Sequence, residues 1–240
     1  MSKRKDRKQT EELFESVSQL AGGGQPGLPQ THEAETFNDA GHTNVPIADE
    51  ALANSKELAP VLASALPGLR QMKKFRFQLL HQWMLAHLQP GRVADVGGGK
   101  GLLTYLLRQS GWPATVIDPV PQALPTKFKD LTSHKQIHLA ATETVPRLAQ
   151  NFEPAMARDF DILVALHAHG CNIHLIEAAA QYDRRFVILP CCIIHEPIYP
   201  PLGVHWLQCV VDYATRTGFR VQPFRLNFKG QNIGLYGLPL

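Results

Sequence analysis

Apolar and polar positions change their rhythm along this chain of 240 residues, and each change marks an element. From about residue 66, Met72, Phe75, Leu79 and Trp83 recur at helical spacing, while Arg70, Lys73 and Lys74 gather on another side. That helix is expected to stop at Gln89-Pro90-Gly91, which cannot continue it. Beyond it, short apolar runs near 92–96, 114–117, 136–140, 161–166 and 185–190 alternate with helical stretches. Alternation of this kind predicts an α/β chain whose parallel sheet is covered by helices on both faces. After a helix near 204–217, the stretches 219–226 and 232–238 predict a closing hairpin across Lys229-Gly230-Gln231.

The first 58 or so residues follow a different pattern. A basic tip, Met1-Ser2-Lys3-Arg4-Lys5-Asp6-Arg7-Lys8, leads into a short helical stretch from Gln9 to Val17. Ala21-Gly22-Gly23-Gly24-Gln25-Pro26-Gly27 breaks it, and polar residues run on to about Asn44. The expected organisation is a flexible basic arm over 1–58 carrying one short helix, followed by a single α/β domain over 59–240. Net charge is a mild +3, which permits a polyanionic partner without demanding one. No apolar run reaches 18 residues, so no membrane partner is expected. Four cysteines, two of them adjacent, do not make a disulfide framework and fit a reducing compartment; the expected location is cytoplasmic.

The densest chemistry lies at Val93-Ala94-Asp95-Val96-Gly97-Gly98-Gly99-Lys100-Gly101. An apolar strand ends beside an acid, a glycine loop follows, and Leu102-Leu103-Thr104-Tyr105-Leu106-Leu107 begins a helix. Glycines there allow positive φ and let a ligand lie against bare backbone. A Walker A loop is excluded: Lys100 precedes Gly101 rather than a hydroxyl residue, and Ala94 stands five before Gly99. The dinucleotide fingerprint is excluded as well, since it needs glycine at 102, where Leu102 stands. Seventeen residues past Gly101, the run Ala114-Thr115-Val116-Ile117 ends in Asp118, a carboxylate at the place where ribose hydroxyls are held in such sheets.

This Asp-Val-G-x-G-x-G loop resembles motif I of the class I S-adenosylmethionine-dependent methyltransferases. The resemblance implies a Rossmann-like fold: a seven-stranded, mostly parallel sheet with a closing β-hairpin. It also implies S-adenosyl-L-methionine as cofactor, bound through Asp95, Gly97, Gly98, Gly99, Gly101 and Asp118. Thr142, just after the expected third strand, is placed to read the adenine edge, and Leu166 at the end of the fourth strand completes the cofactor set.

Two strand ends carry reactive side chains. The fourth strand runs into His167-Ala168-His169-Gly170-Cys171-Asn172, and the fifth into Pro190-Cys191-Cys192-Ile193-Ile194-His195. Together with G-x-G-K-G, the Leu-His-x-x-Gly and Pro-Cys-Cys motifs are similar to one methyltransferase branch, the glutathione S-transferase C-terminal-domain-containing protein and its relatives. Those relatives show Leu-His-Ala-Cys-Gly-Asp, whereas His169 and Cys171 stand here in place of the cysteine and the acid. His167, His169, Cys191 and Cys192 are the candidate catalytic residues, as bases or as groups that orient the acceptor. His167, His169, Cys191 and His195 have the chemistry of a metal set but no standard zinc spacing, so no metal ligand is assigned. A third reading leaves the cluster shaping the pocket. The Asn/Asp-Pro-Pro-Tyr/Phe motif of N-methylation is absent, as is the Pro-Cys context of cytosine-C5 methylation after the fourth strand.

The function expected is methyl transfer to RNA, with Arg70, Lys73, Lys74 and the basic tip as the RNA contact. A protein or small-molecule acceptor is the alternative, or a non-catalytic module of the same fold that holds a cofactor or metal. Oligomeric state is left open by the sequence.

Overall fold

The computed structural model describes residues 2–22 and 75–240. In chain order the elements are α1 (Ser2–Gly22), α2 (Arg76–His87), β1 (Val93–Val96), α3 (Leu102–Gln109), β2 (Ala114–Ile117), β3 (Lys127–Lys129) and β4 (Gln136–His138). There follow β5 (Arg147–Leu148), β6 (Ile162–Leu166), α4 (Asn172–Gln181), β7 (Arg185–Leu189), α5 (Trp206–Arg216), β8 (Phe219–Arg225) and β9 (Ile233–Pro239). Seven strands form one sheet in the order β5-β2-β1-β6-β7-β9-β8. The first five are parallel; β9 runs antiparallel to β7, and β8 antiparallel to β9. The Rossmann-like sheet with its closing hairpin is therefore as expected.

Strand alternation sends side chains to two cores. Val93, Ile162, Val164, Leu166, Val187 and Leu189 meet Leu80 and Met84 of α2 and Leu103 and Leu107 of α3. Their neighbours Ala94, Val96, Leu163, Ala165, Phe186 and Ile188 face the opposite layer of α1, α4 and α5. Because both faces are covered, the central strands are apolar at nearly every position, which is why they read as continuous runs. Asp95 is the exception, a carboxylate only 2% exposed inside β1.

Three elements depart from the sequence reading. The run at 136–140 is no third strand of the sheet: β4 pairs only with β3, with Lys127 opposite His138, in a separate two-stranded ribbon. The third parallel strand is β5, where Arg147 and Leu148 pair with Val116 and Ile117. The lead-in helix is described only from Arg76, so Arg70, Met72, Lys73 and Lys74 lie outside the described residues. Its most buried apolar side chains are Leu80 and Met84, one position round from the predicted Phe75–Leu79–Trp83 stripe. Trp83 instead stacks on Phe224 of β8 with ring centroids 3.8 Å apart, so the helix contacts both α3 and the hairpin.

The helix expected near 9–17 spans Ser2–Gly22. Leu13, Phe14, Val17 and Ala21 pack on the core beside α5, and Gln208 Nε2 donates to Ser16 Oγ. Val17 is fully buried whereas Glu15 is exposed. Val17→Ala is expected to cost about 1–2 kcal/mol in urea denaturation, and Glu15→Ala less than about 0.5 kcal/mol. Equal, negligible losses would mean that α1 contributes no packing to the folded domain.

Candidate functional site

β1 delivers the glycine loop to the carboxyl edge of the sheet. Gly97, Gly99 and Gly101 take φ of +64°, +54° and +78°, a left-handed run that side chains with a Cβ resist. Neighbouring protein fills the space at three of the loop's glycines. A Cβ at Gly97 would lie 2.7 Å from Ala168, one at Gly98 2.6 Å from the Asp95 carboxylate, and one at Gly101 2.9 Å from Val145. At Gly99 the nearest atom would be Gln122 Nε2 at 3.9 Å. Gly99 is thus the position where bare backbone faces open space.

Two carboxylates and one guanidinium hold the loop. Asp118, 8% exposed, accepts from the Gly99 amide through Oδ2 and from the Val120 amide through Oδ1, each at 2.9 Å. Asp95 accepts from Thr104 Oγ1 at 2.8 Å; burial pushes its carboxyl up from 3.8 to about 6, against the lowering pull of Thr104 and Arg147. Arg147 Nη2 donates to the Gly99 carbonyl at 2.7 Å, while its Nη1 is buried with no acceptor among the described residues. A bare-backbone cradle, a carboxylate with acceptor sites to spare and an unpaired buried donor together suit a polar, ribose-bearing ligand. Arg147 went unnoticed in the sequence because a two-residue strand has no periodicity.

Thr142 loses the premise on which it was chosen. It is exposed in the turn after β4, a strand that lies outside the main sheet, and Ala149-Gln150-Asn151 follow the true third strand. Leu166 ends β6 as expected, but its side chain belongs to the core with Val164 and Leu189.

β6 and β7 are parallel neighbours, and their reactive loops meet. His167, at φ +57°, turns toward the closing hairpin, where Nε2 lies 2.9 Å from the Gln231 carbonyl. A carbonyl can only accept, so Nε2 carries the proton and Nδ1 is the basic nitrogen. Burial lowers the His167 pKa and keeps the ring neutral near pH 7. It is His169 that meets the thiols: Nδ1 lies 3.3 Å from Cys192 Sγ, Nε2 lies 3.8 Å from Cys191 Sγ, and the sulfurs are 3.7 Å apart. Burial first, and then Cys192, push the Cys191 thiol up to about 11; burial and Glu196 push Cys171 up to about 12. Both are protonated at neutral pH, which argues against either acting as a free thiolate nucleophile.

Glu196 clamps the two loops together. Its carboxylate, 3% exposed, accepts from the Asn172 and Ile173 amides, each at 3.1 Å, and from Asn172 Nδ2 at 2.5 Å. The first two amides open α4, so an acid from the loop after β7 caps the helix after β6. A Cβ on Gly170 would sit 2.7 Å from that of His195, which brings the backbones into direct contact. No local spacing could have revealed a cap supplied from 24 residues away.

No family model matches the chain. It is 26% identical over 153 residues to the probable tRNA (uracil-O(2)-)-methyltransferase of Caenorhabditis elegans, covering 58% of this chain and 26% of that protein. With the protein of the same description from Caenorhabditis briggsae it shares 27% identity over 104 residues, or 43% of this chain and 18% of that one. The chain thus spans about a quarter or less of the length of the curated relatives it matches. Among solved structures it is similar to the Burkholderia thailandensis 1,6-didemethyltoxoflavin-N1-methyltransferase, at 17% identity and TM-score 0.41, covering 81% of this chain and 91% of that one. It is also similar to the glycopeptide N-methyltransferase MtfA, at 16% identity and TM-score 0.43, covering 76% and 98%. Among the described residues no helix is long and apolar enough to cross a membrane.

Asp95 gives the site a measurable pH signature. Its folded pKa lies above the unfolded value, so between about pH 4 and pH 6 the folded state binds more protons. Stability from this group is therefore present below pH 4 and falls as pH rises through about 6. A displacement of roughly two pH units corresponds to about 3 kcal/mol. Urea denaturation across this window is expected to show the stability of Asp95→Asn, relative to the wild-type chain, rising with pH; a constant difference would mean Asp95 ionises freely.

Proposed function

We propose that this chain binds S-adenosylmethionine over its glycine loop and transfers the methyl group to RNA. The observation that carries the reading is the left-handed Gly97–Gly101 loop, held between Asp95 and Asp118 with Gly99 open. The RNA acceptor is favoured by the likeness to proteins described as probable tRNA (uracil-O(2)-)-methyltransferases. The narrower resemblance, carried by Leu166-His167-Ala168-His169-Gly170 and Pro190-Cys191-Cys192, belongs to the same reading.

When bound, the cofactor supplies an electrophilic methyl on a sulfonium. Each Asp118 oxygen already accepts one amide proton and keeps a site for a ribose hydroxyl. Gly99 gives the ligand room along the backbone, while Gly97, Gly98 and Gly101 let the loop pack closely on Ala168, Asp95 and Val145. Arg147 Nη1 offers the cofactor a desolvated donor. The adenine side falls to the loop after β5, Ala149-Gln150-Asn151, in place of Thr142. His167 Nδ1 is the candidate base for the acceptor's proton, with Cys191, Cys192 and His169 lining the acceptor end. Arg70, Lys73 and Lys74, with the basic tip, are the proposed RNA contact, continuous in sequence with the exposed Arg76.

Calorimetry tests the cofactor half. Wild-type chain is expected to bind S-adenosylmethionine, Asp118→Ala to bind tenfold or more weakly, and Gly99→Val not at all while remaining folded. Near-normal affinity in folded Gly99→Val would reduce the loop to a connection. Transfer of labelled methyl into nuclease-sensitive material tests the other half. His167→Ala is expected to lower turnover by 10²-fold or more with cofactor affinity retained. Charge removal at Arg70, Lys73 and Lys74 should weaken RNA binding and flatten its dependence on salt. Label that resists nuclease but yields to protease would move the acceptor to protein.

A further inference from the structure

We propose that His169, Cys191 and Cys192 form a zinc site with three protein ligands and one open position, at the carboxyl edge of the sheet. The proposal does not depend on methyl transfer, and it regroups the residues: His167 is committed to the Gln231 carbonyl, whereas Cys192 joins the set.

One ring nitrogen of His169 and the two sulfurs all lie within 4.8 Å of one another. Tetrahedral zinc, with bonds of about 2.3 Å to sulfur and 2.0–2.1 Å to nitrogen, sets its sulfurs about 3.8 Å apart and sulfur about 3.6 Å from nitrogen. The observed 3.7 Å between sulfurs and 3.3 Å from Cys192 Sγ to Nδ1 already approach that spacing. The His169 ring is exposed, so it can turn to bring one nitrogen to both sulfurs without disturbing the core. Zinc would displace the two thiol protons to solvent, and the resulting thiolates, with an imidazole, are soft and borderline donors that favour zinc over magnesium or calcium.

The scaffold is fixed before any metal arrives. Leu166 and Leu189 pair in register, Glu196 caps α4 across the two loops, and Gly170 rests against His195. These contacts bring ligands from separate loops together without help from the metal, in contrast to a zinc finger, which needs its ion to fold. Three ligands, one of them solvent-facing, match the pattern of sites that keep a fourth position for water or substrate.

The test uses the full chain, purified under reducing conditions without a histidine tag and titrated with Zn²⁺ alone. Wild type is expected to bind one equivalent with Kd below about 1 µM. His169→Gln, Cys191→Ser and Cys192→Ser should each weaken binding at least about tenfold, with Cys209→Ser unchanged. Replacement of zinc by cobalt should give a sulfur-to-metal charge-transfer band and the strong visible absorption of tetrahedral cobalt. In wild-type chain, zinc should slow alkylation of Cys191 and Cys192 and leave that of Cys209 unchanged, a readout that needs no variant to fold. Sub-stoichiometric or weaker zinc binding, equal affinity in the three ligand variants, or alkylation unaffected by zinc would each overturn the proposal.

Discussion

β6 and β7 pair in parallel from Ile162 opposite Arg185 to Leu166 opposite Leu189, so both strands end at one level. Parallel strands must send their chains out at the same edge, and here the two exits carry His167-Ala168-His169 and Cys191-Cys192. Were the register one residue different, side chains would exchange faces and the two cores would lose their layers. Apolar packing on both faces therefore fixes the register, and the register brings the imidazoles and thiols together. Glu196 then removes the remaining freedom, because its buried carboxylate has its hydrogen bonds only when the two loops are in place. A carboxyl group buried this deeply is costly to leave without hydrogen-bond partners, so the clamp favours the closed arrangement of the two loops.

At the other half of the edge the same logic runs through charge. Asp95, Asp118 and Arg147 surround a loop of left-handed glycines that has few side-chain contacts of its own. Desolvation, with a smaller push from Asp118, acts against the Asp95 anion, and Thr104 and Arg147 partly offset it. The Gly99 peptide is held from both sides, its N–H by Asp118 and its carbonyl by Arg147. Preorganised donors and acceptors of this kind cost stability in the free protein and lower the cost of ordering a ligand.

What was legible in the sequence followed from local signals. The strand, glycine turn and helix around Gly97–Gly101 could be read because turn chemistry and helical spacing change within a few residues. Asp118 could be read because it ends a β-branched run, and the hairpin because Lys229-Gly230-Gln231 separates two apolar stretches. What failed depended on tertiary partners. The stretch at 136–140 has strand composition but pairs with Lys127–Lys129, while the sheet accepts the two-residue β5, whose pairing no propensity announces. The α2 stripe was displaced because Trp83 faces the hairpin aromatic Phe224, a contact 141 positions away and invisible to periodicity. His167 and His169 were indistinguishable as residues; the Gln231 carbonyl separates their roles.

The distribution of backbone strain ties these threads to one edge. Gly97, Gly99, Gly101, His167, Gly170 and His195 all take positive φ there. For the two histidines this conformation costs about 1–2 kcal/mol each, and glycine carries its own entropic cost on folding. Such costs persist only where the surroundings over-determine the backbone. Here the fully buried strand residues Leu163, Val164, Phe186 and Ile188 supply that constraint. His167, at positive φ, has its ring on the Gln231 carbonyl, and His169 is the ring beside Cys191 and Cys192. The two imidazoles of the β6 loop thus have different surroundings on one edge, a backbone carbonyl for His167 and two thiols for His169.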